Sequence, residues 1–402
     1  MRLIENTARQ GWEQEAEASG FTFHSMHGQP YWDESSAYAF SLDEVENEIE
    51  WPSNELHNMA LDAAAEIIRS DDLMTRMAIP EAAFGLIRDS WAEERDAHLY
   101  GRFDLCYGGG APAKCFEYNA DTPTSLFEAG VFQWGWLEAQ IRAGVLPEEA
   151  DQLNSIWEAL TARWARVVKS GERDVHFAGD PENPEDAATL RVLAETAQEA
   201  GLNAHHVALS DIGYSDSDRR FLDDQDRVIG TVFKLYPWED VLRDEFAPLI
   251  PGARTRFLEP AWKSVLSNKG LMAVMWRMFE GHPNLLPCLF EDEFRKGGAF
   301  ETRTRKLIEK AGSARKPLLS REGASITLTS SAGRIVEAKP GEYGHHPHVL
   351  QALCPLPEFA GRRPVLGTWI IGDACAGMGI RDDEAAITGD LSRFRPHVII
   401  PN

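Results

Sequence analysis

Residues 101–121 read GRFDLCYGGGAPAKCFEYNAD, two strand-like arms joined by the turn GGGAP. Successive side chains of a strand point to opposite faces. On the first arm Arg102, Asp104 and Cys106 therefore share a face, and on the second Cys115, Glu117 and Asn119 do. Symmetrical pairing about the turn sets Asp104 opposite Glu117 and Arg102 opposite Asn119. Phe103, Leu105, Tyr107, Phe116 and Tyr118 fall on the reverse face, where a core can bury them. Directly opposed carboxylates repel unless a cation lies between them. Two carboxylates and an amide oxygen form the hard oxygen set that Mg2+ takes, with phosphates and water completing the shell. Arg102 beside them suits a carboxylate or an acyl phosphate. A solvated polar face on an edge hairpin shows the same alternation, and spacing alone leaves both readings open.

The elements that must hold this hairpin are also legible. Leu56, Met59, Ala60, Ala63, Ala64 and Ile67 recur at three and four, an apolar stripe within the acidic helical region from Ser41 to Leu99. A long apolar helix is predicted from Pro123 to Ile141, with Gly144 just beyond its end. A strand over 174–178, a helix over 184–200 stopped by Gly201, and strands over 206–209 and 228–235 alternate as a small α/β unit. Lys269 to Phe279 reads as helix. Strand-like runs follow at 325–329, 334–338, 349–353 and 365–371, which suggests a mostly antiparallel sheet. The expected organisation is α+β. A helical N-terminal region spans 1–100, the hairpin and long helix 101–172, the α/β unit 173–260 and a final region 261–402.

Composition narrows the function classes. The 402 residues hold 64 acidic and 40 basic side chains, a formal net charge of −24. No basic stripe is present, which argues against nucleic acid as a partner. A negative field favours cationic ligands, although most such charges simply solvate a surface. No stretch approaches the roughly 18 apolar residues of a membrane span. The first residues lack the apolar core of a signal peptide, so a cytoplasmic protein with no membrane partner is expected. The five cysteines (106, 115, 288, 354 and 375) are scattered, without C-x-x-C spacing. They argue against a disulfide framework or a zinc site and read as packing residues in a reducing compartment. His345, His346 and His348 read as a polar loop, and Ser125 as a capping or first-turn residue, since it lacks a G-x-S-x-G context.

The run FEYNADTPTSLFEA resembles the synthetase domain of the glutathionylspermidine synthase family, which has the ATP-grasp fold. EPAWKSVLSNKG, HPNLLP, KPLLSREGASI, LQALCPLPEF and GIRDDEAAITGDLSRFRPHVI are similar to that family's motifs, in its order, so the resemblance runs from Arg102 to the C terminus. It implies a permuted ATP-grasp with the metal ligands early and a pre-ATP-grasp-like α/β unit. It implies ATP and Mg2+ as cofactors, with Asp104, Glu117 and Asn119 as metal ligands. Arg102 matches an arginine that contacts the acid substrate and its activated form. Arg381 matches one near the terminal phosphate, which makes these two the catalytic candidates. Lys269 and Lys316 match nucleotide-binding lysines, and Gln351 and Leu353 fall on the adenine-contacting segment. The loop Ser320–Ala324, carrying Arg321, Glu322 and Gly323, reads as a lid whose small residues let backbone approach phosphates.

The implied activity is an ATP-dependent carboxylate–amine ligase that forms an amide through an acyl phosphate. Its partners would be a small acid, an amino acid or peptide, and a cationic amine. Thr122, Glu185 and Asp186 fall on the substrate side. The acidic pair either meets a charged amino group or simply stabilises the first turn of a helix. Lys234, Leu235 and Tyr236 stand where the family has a Lys-Thr-Trp stretch, so glutathione is expected to be a poor acid. The first hundred residues contain no Cys. The cysteine nucleophile of the family's amidase domain is thus missing there, and synthetase activity alone is expected. A non-catalytic nucleotide binder on this fold and a metal-dependent phosphohydrolase are the alternatives.

Overall fold

The computed structural model describes residues 1–95, 97–389 and 392–401. The chain opens with strand β1 (Arg2–Glu5) and the buried strand β2 (Ser36–Phe40). Helix α1 (Trp51–Arg69) follows, continuing a π-helical turn (Glu46–Glu50), with Pro52, which has no N–H to donate, just beyond that turn. Its stripe Leu56, Met59, Ala60, Ala63, Ala64 and Ile67 is buried in the central core, as the spacing predicts. The region before residue 100, read as helical, thus also supplies strands. The run SAYAF is too short for a helical period and is covered on both edges by other strands.

The hairpin consists of β3 (Tyr100–Cys106) and β4 (Lys114–Asn119). It pairs Arg102 with Asn119 and Asp104 with Glu117, as symmetry about the turn requires. A bulge after Asp104 then shifts the register, so Leu105 opposes Cys115. One inserted residue inverts the alternation beyond it. Phe116, expected in the core, lines a cleft instead, and Cys115, expected on the polar face, packs at 3.8 Å from the Met272 sulfur. The next helix also begins later than Pro123. A π-helical turn (Glu128–Phe132) leads into α2 (Gln133–Arg142). Residues 121–125 stay non-helical because Arg102 takes the Thr124 carbonyl and Ser125 sits at φ +71°.

The α/β unit follows as β5 (Asp174–Gly179), α3 (Pro184–Glu199), β6 (Asn203–Ala208), β7 (Thr231–Lys234) and β8 (Arg256–Leu258). Its strands are parallel, in the order β8-β7-β5-β6. Asn183 caps α3 by accepting from the backbone N–H groups of Glu185 and Asp186, and Pro184 opens its first turn. Val175 and Phe177 bury one face of β5 against α3 and Trp164, and Ala178 of the other face lies in the central core, the double coverage a parallel sheet needs.

Then come α4 (Gly270–Met278), β9 (Cys288–Phe290), α5 (Ala299–Ala311), β10 (Ser313–Pro317), β11 (Thr327–Thr329), β12 (Ile335–Ala338) and β13 (His348–Ala352). Their strands form an antiparallel sheet in the order β9-β13-β10-β11-β12. The last strands are β14 (Arg363–Ile371), β15 (Ala374–Asp383), β16 (Arg393–Arg395) and β17 (His397–Ile399). β14 pairs with β3, which sets the hairpin at one side of a five-stranded sheet ordered β16-β15-β14-β3-β4. Gly367 of β14 faces Asp104, and a Cβ there would lie 2.8 Å from the Arg102 Cδ, so glycine makes room for that side chain. β17 runs parallel beside β2 and ties the two ends of the chain together.

Candidate active site

The antiparallel sheets and the loops between them enclose a cleft in two connected parts. A polar chamber of about 100 Å³ is lined by Arg102, Asp104, Glu117, Asn119, Thr122 and Arg381, among others. An apolar slot of about 90 Å³ is lined by Phe116, Ala314, Ile326, Leu328, Leu353 and Leu356, together with Lys316 and Gln351. Asp104, Glu117, Gly323 and Thr388 line both parts.

Each of the opposed carboxylates has its own cation. Asp104 accepts from Arg102 Nε at 2.8 Å and Nη2 at 3.2 Å, and from Arg381 Nη2 of β15 at 3.4 Å. Lys269, at the start of α4, lies 3.2 Å from a Glu117 oxygen, and the Asn119 amide donates to Glu117 at 3.3 Å. Burial alone would raise the Glu117 pKa, but the Lys269 and Lys316 ammoniums outweigh it and hold the carboxyl at about 2. The group is an anion at neutral pH. Lys316 of β10 donates to the Gln351 side chain of β13 at 2.8 Å and sits 5.1 Å from the Phe116 ring centre. Its burial lowers the ammonium's pKa. A flat ring with polar edges fits a slot of this kind, apolar along its walls and hydrogen-bonding at Lys316 and Gln351.

The loop between β10 and β11 crosses the cleft. Arg321 donates to Thr122 Oγ1 at 3.1 Å and to a Glu239 oxygen at 3.2 Å, which spans the hairpin side and the α/β side. Lys269 donates to the Ser320 carbonyl at 2.7 Å. Gly323 adopts φ +70°, and a Cβ there would lie 2.5 Å from the Thr388 carbonyl oxygen. Glycine is therefore required at that crossing. Glu322 lines the polar chamber, and the Ser320 hydroxyl is buried without a hydrogen-bond partner. An orphaned buried hydroxyl at the chamber wall is a donor for a bound group.

Glu185 and Asp186 stand half-buried in the first turn of α3. Burial, reinforced by the negative charges of Glu128 and Glu322, raises the Glu185 carboxyl to about 7. Burial likewise raises Asp186 to about 6. Arg381 acts on Glu185 and Arg321 on Asp186, so the pair belongs to the electrostatics of the cleft.

Several residues of the site escape a reading of the sequence. Asp121 accepts from Lys234 Nζ at 2.8 Å and from the Trp238 N–H at 2.7 Å, a buried ion pair that joins the hairpin to the α/β unit. Its only sequence signal is its place at the end of FEYNAD. Tyr31 donates to the buried Glu128 at 2.5 Å and lies 3.1 Å from the Ser125 hydroxyl. Phe116 is exposed to the slot by the bulge alone. Leu235 packs in the apolar cluster that includes Phe177 and Leu190. His348 lies beside Arg315 and Glu291, and the His345 and His346 rings lie 4.0 Å apart. Among the described residues no group of three or more His, Cys, Asp or Glu side chains is placed to hold a metal. The oxygen set that the hairpin register offers is two carboxylates and the Asn119 amide. All its donors are oxygen, a composition that fits Mg2+ with phosphates completing the shell.

The family described as glutathionylspermidine synthase preATP-grasp matches residues 3–400. The chain is 40% identical over 393 residues to a Haemophilus influenzae protein named "Putative acid--amine ligase", covering 95% of both. It is 29% identical over 369 residues to the trypanothione synthetase of Crithidia fasciculata, covering 85% of this chain and 53% of that one, so it spans about half that relative's length. The apo structure of a glutathione synthetase-like effector from Globodera pallida superposes with a TM-score of 0.53 at 10% identity, covering 98% of each chain. That likeness places the mixed α/β fold with the glutathione synthetase-like type. Among the described residues no helix is long and apolar enough to cross a membrane.

Proposed function

The chain belongs to the glutathionylspermidine synthase family, and from that premise we propose that it joins a small acid to a cationic amine at the expense of ATP, through an acyl phosphate. The observation that carries the reading is the cleft itself. Two opposed carboxylates, two lysines and two arginines meet at the junction of a polar chamber and an apolar slot. The order of the elements, an acidic hairpin ahead of the lysine-bearing ones, supports a permuted ATP-grasp.

In this reading Asp104, Glu117 and Asn119 hold Mg2+, which neutralises charge on the transferring phosphoryl group when bound. Ala314, Ile326, Leu328 and Leu353 take the adenine, with Gln351 and Lys316 meeting its polar edge or the adjoining phosphates. Lys269 and Arg381 balance phosphate charge. Arg102 orients the acid so that its carboxylate attacks the γ-phosphorus, giving acyl phosphate and ADP. Arg321, Glu322 and Gly323 close over the phosphates, which keeps water from a readily hydrolysed anhydride. The amine then attacks the acyl carbon and phosphate leaves. Thr122 lines the acid side, and Glu185 and Asp186 hold the ammonium group.

ADP release tests the proposal. A ligase forms ADP only with acid and amine together, and a panel of amino acids, peptides and amines identifies the pair. ADP release with neither present would show a phosphohydrolase, and nucleotide binding without release a binder.

A further inference from the structure

Cys106 and Cys354 approach with their sulfurs 3.6 Å apart, although 248 residues separate them. Cys106 is the last residue of β3, two positions beyond Asp104, and is buried. Cys354 is half-buried and lines the apolar slot between Leu353 and Leu356. It belongs to the irregular segment 353–358, whose backbone no sheet ladder holds. The Cys106 sulfur also lies 3.7 Å from the Pro355 carbonyl, so the two segments are in contact along their length. A disulfide has an S–S distance of about 2.05 Å, which a shift of roughly 1.5 Å between the two sulfurs supplies. The other three cysteines have no such neighbour: Cys115 meets a methionine sulfur, and Cys288 and Cys375 are fully packed.

We propose that Cys106 and Cys354 form a reversible disulfide that draws the wall of the slot onto β3 and shuts out nucleotide. With a peroxide as oxidant, the Cys354 thiolate attacks one peroxide oxygen and displaces hydroxide, leaving a sulfenic acid. The Cys106 thiol attacks that sulfur, the S–S bond forms and water leaves. Two thiols and one hydrogen peroxide thus become one disulfide and two waters. A small thiol reverses it by exchange. Contact with the Cys106 thiol, opposed by burial and aided by Lys114 and Lys316, holds the Cys354 thiol below its ordinary pKa. That, and its greater exposure, makes Cys354 the attacking partner. The crosslink ties Leu353 and Leu356 to the strand that carries Asp104, so the slot loses the freedom to admit a ring. This consequence rests on the nucleotide reading above; the crosslink does not.

The test uses the full chain treated with hydrogen peroxide and then alkylated. Trypsin leaves Cys106 alone in residues 103–114 and Cys354 alone in residues 335–362, so the linked pair is unambiguous by mass. The expected result is this pair as the main crosslink and at least a tenfold weaker affinity for a fluorescent N-methylanthraniloyl-ATP with Mg2+, restored by dithiothreitol. Cys106→Ser should bind as the reduced protein does before and after peroxide; Cys106→Ala serves if the serine variant fails to fold. Failure of the reduced protein to bind the probe would overturn the nucleotide reading. Absence of the crosslink, or a crosslinked protein that binds as tightly as the reduced one, would overturn the switch.

Discussion

Glu117→Gln separates the electrostatics of the cleft from its chemistry. The carboxylate is held at about 2 rather than 4.5, because Lys269 and Lys316 outweigh the cost of burial. That difference corresponds to about 3 kcal/mol at neutral pH, as an upper value, since one pKa unit is about 1.4 kcal/mol. The sign follows from a depressed folded-state pKa. The contribution is complete above about 4.5 and is lost as pH falls toward about 2. Glutamine keeps the shape and removes the charge, and it leaves Lys269 with its hydrogen bond to the Ser320 carbonyl but without its ion pair. Opposed carboxylates by themselves would make this change stabilising; the paired cations reverse that expectation. Urea unfolding of the nucleotide-free protein at neutral pH should show a loss of about 1–3 kcal/mol, and the two proteins should converge toward acid pH. Mg2+-dependent ADP formation should fall at least a hundredfold in the folded variant. Equal stability at neutral pH would refute the ion-pairing argument, and near-normal Mg2+-dependent turnover would refute the metal assignment.

Asp121→Ala leaves the Lys234 ammonium buried and unpaired, which should cost about 3–5 kcal/mol in chemical unfolding, with partial recovery in Asp121→Asn. If Asp121→Ala unfolds at the wild-type urea midpoint, the pair does not hold the hairpin to the α/β unit. Glu185 titrates at about 7, so its charge, and with it the attraction for an ammonium group, fades as pH drops below that value. The KM for the amine should rise severalfold between pH 8 and pH 6 in the wild type and stay flat in Glu185→Gln; matching profiles in the two would remove Glu185 from the amine site. The resemblance implies a hydroxyl residue at the position of Leu235, which here packs in an apolar cluster and offers no hydrogen bond, and an unpaired buried polar group costs about 1–3 kcal/mol. Glutathione should therefore be about ten- to a hundredfold weaker than the preferred acid, and efficient turnover of glutathione with spermidine in steady-state kinetics would defeat this expectation.

Local patterns carried the reading a long way. The register of Asp104 with Glu117 and of Arg102 with Asn119 follows from alternation about a turn, and the hairpin adopts it. The stripe of α1 and the start of α3 are equally local: one is a 3.6-residue period, the other an Asn cap followed by Pro. The strands of the α/β unit lie within a few residues of their expected ends. Such features depend on a few neighbouring residues and on the geometry of one backbone, so the chain order alone specifies them.

The rest depends on which faces are still uncovered once the whole chain has collapsed. The bulge that brings Phe116 into the slot depends on a register shift after Asp104, a detail that no alternation pattern contains. Arg381 reaches Asp104 across 277 residues because β14 pairs with both β3 and β15. Lys234 meets Asp121, and Tyr31 meets Glu128, through units that touch only in the folded molecule. By itself the sequence determined the hairpin's polar patch and the main helices. The tertiary structure decided which cation faces which carboxylate. Burial and long-range pairing set those partnerships, and both are properties of the packed chain that no single segment holds.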